Sequence, residues 1–218
     1  EYAGVDPETG DGLFFVNETD DEGNVIDPTA TTNSFGEANF VVLGSPQPDF
    51  IGGINNTFSF KGIDLSFLFQ GSFGNSIHNG AGNFMSCGAC WFDNQTRDQL
   101  DSWTPDNPDA TQPEARFFWG NADQNRSSRY LSDGAYLRLK TLSLGYNFPQ
   151  RLLSRLNLRS ARVYLISQNL LTFTNYEGWD PEVTTDFLAD GGENVLAGID
   201  FYAAPQPRTI TFGLRLGL

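Results

Sequence analysis

Hydrophobic and polar residues alternate with a period of two in several stretches of this chain, the pattern of strands with one apolar face. Between 63 and 73, Ile63, Leu65, Phe67, Phe69 and Phe73 share one parity, while Asp64, Ser66, Gln70 and Ser72 share the other. Residues 209–218 alternate more cleanly: Ile210, Phe212, Leu214, Leu216 and Leu218 stand against Thr209, Thr211, Gly213, Arg215 and Gly217. In 141–148, Leu142, Leu144, Tyr146 and Phe148 oppose Thr141, Ser143, Gly145 and Asn147. In 51–60, Ile54, Phe58 and Phe60 oppose Gly53, Asn55, Thr57 and Ser59. The stretch 161–173 is less clear, because Val163 and Leu165 compete with Tyr164 and Ile166. The pattern predicts five strands and an all-β fold.

The connections narrow the choice of fold. Lys61-Gly62 has the length and glycine content of a tight hairpin turn. Residues 74–134 make a long excursion, 149–160 a short link with one helical turn expected around Leu152–Leu156, and 174–207 a second long excursion. Short and long connections alternate in this way in outer-membrane barrels, with tight periplasmic turns and long extracellular loops. Connections of this length are uncommon in compact domains without a functional reason. The expected division is therefore 1–50 as an extracellular loop or hairpin region, 51–73 as a hairpin of barrel wall, and 74–134 as a long extracellular loop. Residues 135–173 would be two wall strands with a short periplasmic link, 174–207 the second extracellular loop and 208–218 the last strand. On this topology Phe58, Phe60, Tyr146 and Phe148 fall at the periplasmic ends of their strands and Phe69, Phe73 and Phe173 near the outer ends. Two aromatic belts suit two membrane interfaces. The same alternation also fits a soluble β-sandwich, in which the apolar face fills a core.

Composition adds limits. The chain has 218 residues, a net charge of −14 and a pI near 4.2, which argues against nucleic acid as a partner. All 13 basic residues lie at Lys61 or beyond. The longest apolar run is four residues, as at Phe40–Leu43, so no transmembrane helix is expected; a membrane β-barrel needs none. The chain starts at Glu1 without Met or an apolar signal segment, which suggests a mature product or a fragment. Five strands of about 10 residues cannot close a transmembrane barrel, for which eight is the usual bacterial minimum. If the membrane reading holds, the chain is part of something larger.

The wording of several segments then becomes informative. Gly44-Ser45-Pro46-Gln47-Pro48 leads into Gly52-Gly53-Ile54-Asn55-Asn56-Thr57-Phe58 and Lys61-Gly62-Ile63-Asp64-Leu65. Trp103-Thr104-Pro105-Asp106-Asn107-Pro108 lies in the first long loop, followed by Tyr136-Leu137-Arg138-Leu139-Lys140 and Leu144-Gly145-Tyr146-Asn147-Phe148-Pro149. Gln168-Asn169-Leu170-Leu171-Thr172-Phe173-Thr174, Asp180-Pro181-Glu182 and Pro205-Gln206-Pro207-Arg208-Thr209 come later, and Ala3-Gly4-Val5-Asp6-Pro7-Glu8-Thr9-Gly10 comes first. In this order the set resembles the C-terminal region of SusC/RagA-like TonB-dependent outer-membrane transporters across nearly the whole chain. The resemblance implies the last five strands of a 22-stranded antiparallel barrel. It also implies a plug and a TonB-contacting segment, neither with a counterpart here, and the outer membrane of a Gram-negative, Bacteroidetes-like bacterium. The implied cargo is oligosaccharide or peptide, the implied partner a SusD-like surface lipoprotein, and no enzymatic activity or cofactor is implied. Two features depart from the family: the chain ends in Leu218 rather than an aromatic residue, and Glu114 follows Pro113 where Arg is frequent.

Candidate chemistry is sparse. Cys87-Gly88-Ala89-Cys90 is the only thiol pair. Its spacing suits a redox pair or half of a zinc site with His78 as a third ligand, but in an oxidising compartment a short disulfide between Cys87 and Cys90 is the ordinary outcome. The acidic stretch Glu18–Asp27 lacks the spaced ligand ladder of a calcium loop, and Asp21-Glu22-Gly23-Asn24 reads as a turn. The pairs Asp180/Glu182 and Asp98/Asp101 do not by themselves indicate a glycosidase, and no G-x-S-x-G, P-loop or H-E-x-x-H occurs. Arg151, Arg155 and Arg159 read as a solvated link rather than a phosphate site. All four tryptophans fall in the two long loops. Trp91, Trp119 and Trp179, with Tyr176, are the expected contacts for substrate or partner, through aromatic stacking and neutral hydrogen bonds; Trp103 is expected to pack. Two functions remain open: membrane import, or carbohydrate binding by a secreted or surface sandwich. The location of the apolar face discriminates between them.

Overall fold

A computed structural model of the chain describes residues 1–88, 92–117, 121, 127–182 and 197–218. The strands are β1 (Tyr2–Val5), β2 (Gly12–Phe15), β3 (Thr31–Thr32), β4 (Phe50–Phe60), β5 (Ile63–Phe73), β6 (Ser76–Asn79), β7 (Leu131–Asp133), β8 (Tyr136–Asn147), β9 (Ser160–Thr174), β10 (Ile199–Asp200) and β11 (Thr209–Gly217). They divide between two units. One comprises Glu1–Ser45, Ile77–Ser132 and Thr184–Tyr202; the other comprises Pro46–Ser76, Asp133–Val183 and Ala203–Leu218.

The second unit is built on one antiparallel sheet in the order β4-β5-β8-β9-β11, so each long strand lies beside the next long strand along the chain. The β4–β5 hairpin closes through Lys61 and Gly62 at φ 48° and 88°. Two successive positive values are what a two-residue turn needs to match the strand twist. The β8–β9 link contains a helical turn at Gln150–Leu153 continued by a tighter turn at Ser154–Leu156, with Leu153 buried.

Register sorts the side chains by face. Phe58 pairs with Leu65, Leu65 with Leu144, Leu144 with Leu165 and Leu165 with Phe212, so one apolar row crosses all five strands. Val163 and Leu165 therefore belong to the apolar face, and Tyr164 and Ile166 to the other. The apolar face is exposed: Phe60 is 69%, Phe212 77% and Leu214 62% accessible. A closed soluble sandwich would bury these groups, and no described element of the sheet's own unit covers them. The opposite face is polar and bonded across strands. Asp64 accepts hydrogen bonds from Ser59 Oγ and Asn147 Nδ2 at 2.9 Å, and its Oδ2 lies 2.9 Å from Arg162. Among the described residues, no strand pairs with the outer edge of β4 or of β11. An open edge of this length exposes unpaired backbone groups that call for a further strand.

β8 begins at Tyr136, within the expected 135–173 pair of strands but five residues before its alternation becomes clear, for an identifiable reason. Leu68 pairs with Thr141 and Phe69 with Leu139, so Lys140 is an extra residue in β8. Across the other side of β8, Leu139 pairs with Leu171 and Thr141 with Gln168, leaving Asn169 and Leu170 opposite Lys140. Asn169 takes the left-handed conformation, φ 51°. This bulge moves the apolar parity of β8 from odd (Leu137, Leu139) to even (Leu142, Leu144), so a strict period of two ends at Lys140.

In the first unit, β1, β2 and β3 form a small sheet around Phe14, which is 1% exposed and meets Tyr2 and Phe35 edge to face. Trp103 packs here as expected. Its Nε1 donates to Pro7 O at 3.0 Å, and a Cβ on Gly10 would fall 2.4 Å from its ring. Only glycine permits that approach. Asn121 bridges the same corner, donating to Gly10 O at 2.7 Å and accepting from Gly12 N at 2.9 Å. A second small sheet has the order β10-β6-β7, with β10 parallel to β6. Strands of two to four residues are too short to show a period, and none of these was predicted.

Candidate binding site on the polar face

The upper half of β8 carries two cations where its polar-face neighbours are mostly neutral. Arg138 is paired in register with Gln70 and Thr172, and Lys140 occupies the bulge. Asp180-Pro181-Glu182, in the segment after β9, supplies the counter-charges. The Arg138 guanidinium binds Asp180 Oδ1 through Nη2, and its Nη1 lies 2.9 Å from Glu182 Oε2. Lys140 Nζ contacts both oxygens of Glu182, at 2.5 and 2.6 Å. Asp180 is further held by backbone N–H groups: Glu182 N donates to Oδ1 and Gln206 N to Oδ2, each at 2.9 Å. Arg138 and Asp180 are 2% and 4% exposed.

Burial alone would raise the Asp180 pKa, but the Arg138 hydrogen bond and the two backbone donors outweigh it and hold the carboxyl below its ordinary value. The guanidinium is less completely satisfied. Its Nε has no hydrogen-bond partner, and the contact of Nη1 with Glu182 is ionic in distance without hydrogen-bond geometry.

Beside this cluster lies a cavity of about 400 Å³. Arg138, Asn169 and Thr172 line it from the strands, Trp179 and Asp180 from the segment after β9, and Gln206 and Arg208 from the approach to β11. Asn169 is fixed by donating its side-chain amide to Pro207 O at 3.1 Å. Trp179 is exposed. Tyr176 is buried, and a Cβ on Gly178 would fall 2.3 Å from its ring, so it underlies the turn that presents Trp179.

Trp179 is thus placed at a cavity, whereas Trp91 and Trp119 lie outside the described residues. Cys87 is buried and disulfide-bonded; its expected partner Cys90 also lies outside the described residues. Among the described residues, no three His, Cys, Asp or Glu side chains converge on a point that would hold a metal ion. Sequence reasoning had not assigned Arg138, Lys140 and Arg208 to a site. The available signal was two cations, spaced by one residue, in a strand otherwise lined by Thr, Ser and Asn.

No protein-family model matches the sequence. The chain is 38% identical over 177 residues to TonB-dependent receptor P3 of Formosa agariphila, an alignment spanning 80% of the chain and 17% of that protein. It is 29% identical over 179 residues to TonB-dependent receptor SusC of Bacteroides thetaiotaomicron, spanning 81% of the chain and 16% of SusC. Among solved structures it superposes on the RagAB peptide transporter with a TM-score of 0.75 and 28% identity, over 99% of the chain and 22% of that chain. The chain spans about a fifth of the length of these relatives. With its β-rich fold and these likenesses together, the chain carries a SusC/RagA-like TonB-dependent transporter region.

Proposed function

We propose that the chain forms the C-terminal five strands, with their extracellular loops, of a 22-stranded outer-membrane barrel that imports oligosaccharides or peptides by a TonB-dependent route. The carrying observation is the sheet itself: an exposed apolar face, a polar face behind it and two open edges. A strand wall between lipid and an aqueous lumen needs all three. In this reading the plug, the remaining strands and the contact with TonB lie elsewhere in the protein. A SusD-like lipoprotein covers the mouth, where Trp91, Trp119 and Trp179 serve cargo or partner, and a Cys87–Cys90 disulfide braces the first long loop. Likeness to a peptide transporter supports peptide cargo, and the family resemblance of the sequence motifs supports oligosaccharides as the second class.

The test is a charge on the apolar face of the complete protein. Leu214, outward and central in β11, becomes Arg. Leu214→Arg is expected to cost about 2–4 kcal/mol when unfolding is followed in lipid vesicles, while Thr211→Arg on the polar face costs much less. Equal unfolding of Leu214→Arg and wild type would refute the membrane assignment.

A further inference from the structure

We infer that the cavity beside Trp179 is a subsite for a carboxylate-bearing solute, such as a uronic-acid sugar or the C-terminal residue of a peptide. The inference rests on the importer reading and names the chemistry of one contact within it. Three observations carry it. First, hydrogen-bond donors are in surplus. Arg208 lines the cavity and has no ion-pair partner among the described residues. Arg138 lines it too, its guanidinium engaged by Asp180 and close to Glu182.

Second, the acidic groups are already engaged. Both oxygens of Asp180 are occupied, by Arg138 and by the backbone N–H groups of Glu182 and Gln206, and Glu182 is held by Lys140. Arg138 and Lys140 balance Asp180 and Glu182 in charge, which leaves Arg208 as the uncompensated cation. A planar guanidinium is matched best by a planar, two-oxygen anion, and paired N–H···O bonds favour carboxylate over a neutral hydroxyl.

Third, the remaining lining suits the frame that carries such a carboxylate. The exposed Trp179 indole and Pro205 ring offer flat apolar surface, and Thr172 adds a hydroxyl. A volume of about 400 Å³ admits a terminal residue rather than a polymer interior. This local chemistry differs from the neutral contacts expected from the acidic composition. The net charge of −14 acts over the whole surface and is screened by salt, whereas a cation lining a cavity acts at contact.

The experiment uses the complete transporter in detergent micelles, with binding followed by calorimetry. The probes are D-glucuronate against D-glucose, and trialanine against trialanine amide. At least one acid is expected to bind tenfold or more tightly than its neutral counterpart, and which acid does so identifies the source of the carboxylate. Arg208→Gln and Trp179→Ala should each weaken that binding at least tenfold with the melting temperature unchanged; Arg208→Lys should recover part of it. Equal binding of acids and neutrals, no binding of either acid, or full binding by Arg208→Gln would overturn the subsite. Membrane insertion and uptake by cells are measured on the same protein. A transporter that inserts and imports but shows no acid preference loses only this inference, whereas one that fails to insert loses the importer reading.

Discussion

Replacing Asp180 by alanine should release the stem of the second long loop. Arg138 and Asp180 are almost fully buried, so the substitution leaves a guanidinium without its main partner and frees the N–H groups of Glu182 and Gln206 at the same time. Breaking a buried ion pair by removing one partner typically costs about 3–5 kcal/mol. Glu182 remains 2.9 Å from Nη1 of Arg138, which places Asp180→Ala at the low end, about 3 kcal/mol. The direct readout is amide hydrogen exchange at Gln206 and Glu182 in the complete protein. A local loss of that size corresponds to roughly hundredfold faster exchange, at about 1.4 kcal/mol per decade. Arg138→Met should cost less, because Asp180 keeps both backbone donors and Glu182 keeps Lys140. The double variant Arg138→Met/Asp180→Leu, which removes both charges, should exchange more slowly than Asp180→Ala. The pH dependence has a definite sign. The folded-state pKa of Asp180 is depressed, so its contribution is complete above the ordinary carboxylate pKa and is lost as pH falls through the lower folded value. Wild-type exchange rates in Asp180→Ala, or equal loss in the single and double variants, would refute this account of the clamp.

Two further outcomes are expected. Alkylation of the native protein should leave Cys87 and Cys90 unmodified until a reductant is added, as read by intact mass; modification of both without reductant would exclude the proposed pairing. Asp101 accepts hydrogen bonds from Thr111 Oγ1 at 2.7 Å, Thr111 N at 2.9 Å and Asn107 Nδ2 at 3.1 Å, and the Thr111 side chain is the chief cause of its lowered pKa. This turn should therefore hold above the ordinary carboxylate range and loosen as pH falls through the depressed value, with the Thr111 amide, corrected for intrinsic rate, as reporter.

The five long strands were legible because one face of each is mostly apolar, and a period of two survives in about 10 residues without knowledge of partners. Legibility failed where the physics became local or long-range. The upper part of β8 showed no continuous alternation because Lys140 shifts the phase of the strand, so Leu137 and Leu139 no longer share a parity with Leu142 and Leu144. The ambiguity in β9 was resolved only by register, which places Leu165 between Leu144 and Phe212. The candidate site was half visible. Trp179 stood out by residue type, whereas Arg138 and Asp180 are 42 positions apart, and only folding brings a buried cation and its counter-ion together. Both had been noticed as wording, and neither as a pair.

The clamp at Asp180 has a consequence for how such a protein diversifies. Gln206 N donates to Asp180 Oδ2, so the outgoing and returning stems of the second long loop are tied together at their roots and to β8 through Arg138. With the roots tied, each doubling of a flexible segment inserted between them would add only about 0.6 kcal/mol of closure entropy. Changes of sequence or length between the two stems then leave the register of β9 and β11 to the sheet and the clamp, while Ile199–Asp200 keeps its own pairing with β6. Variation can accumulate between the two stems while one arginine keeps both tied to β8.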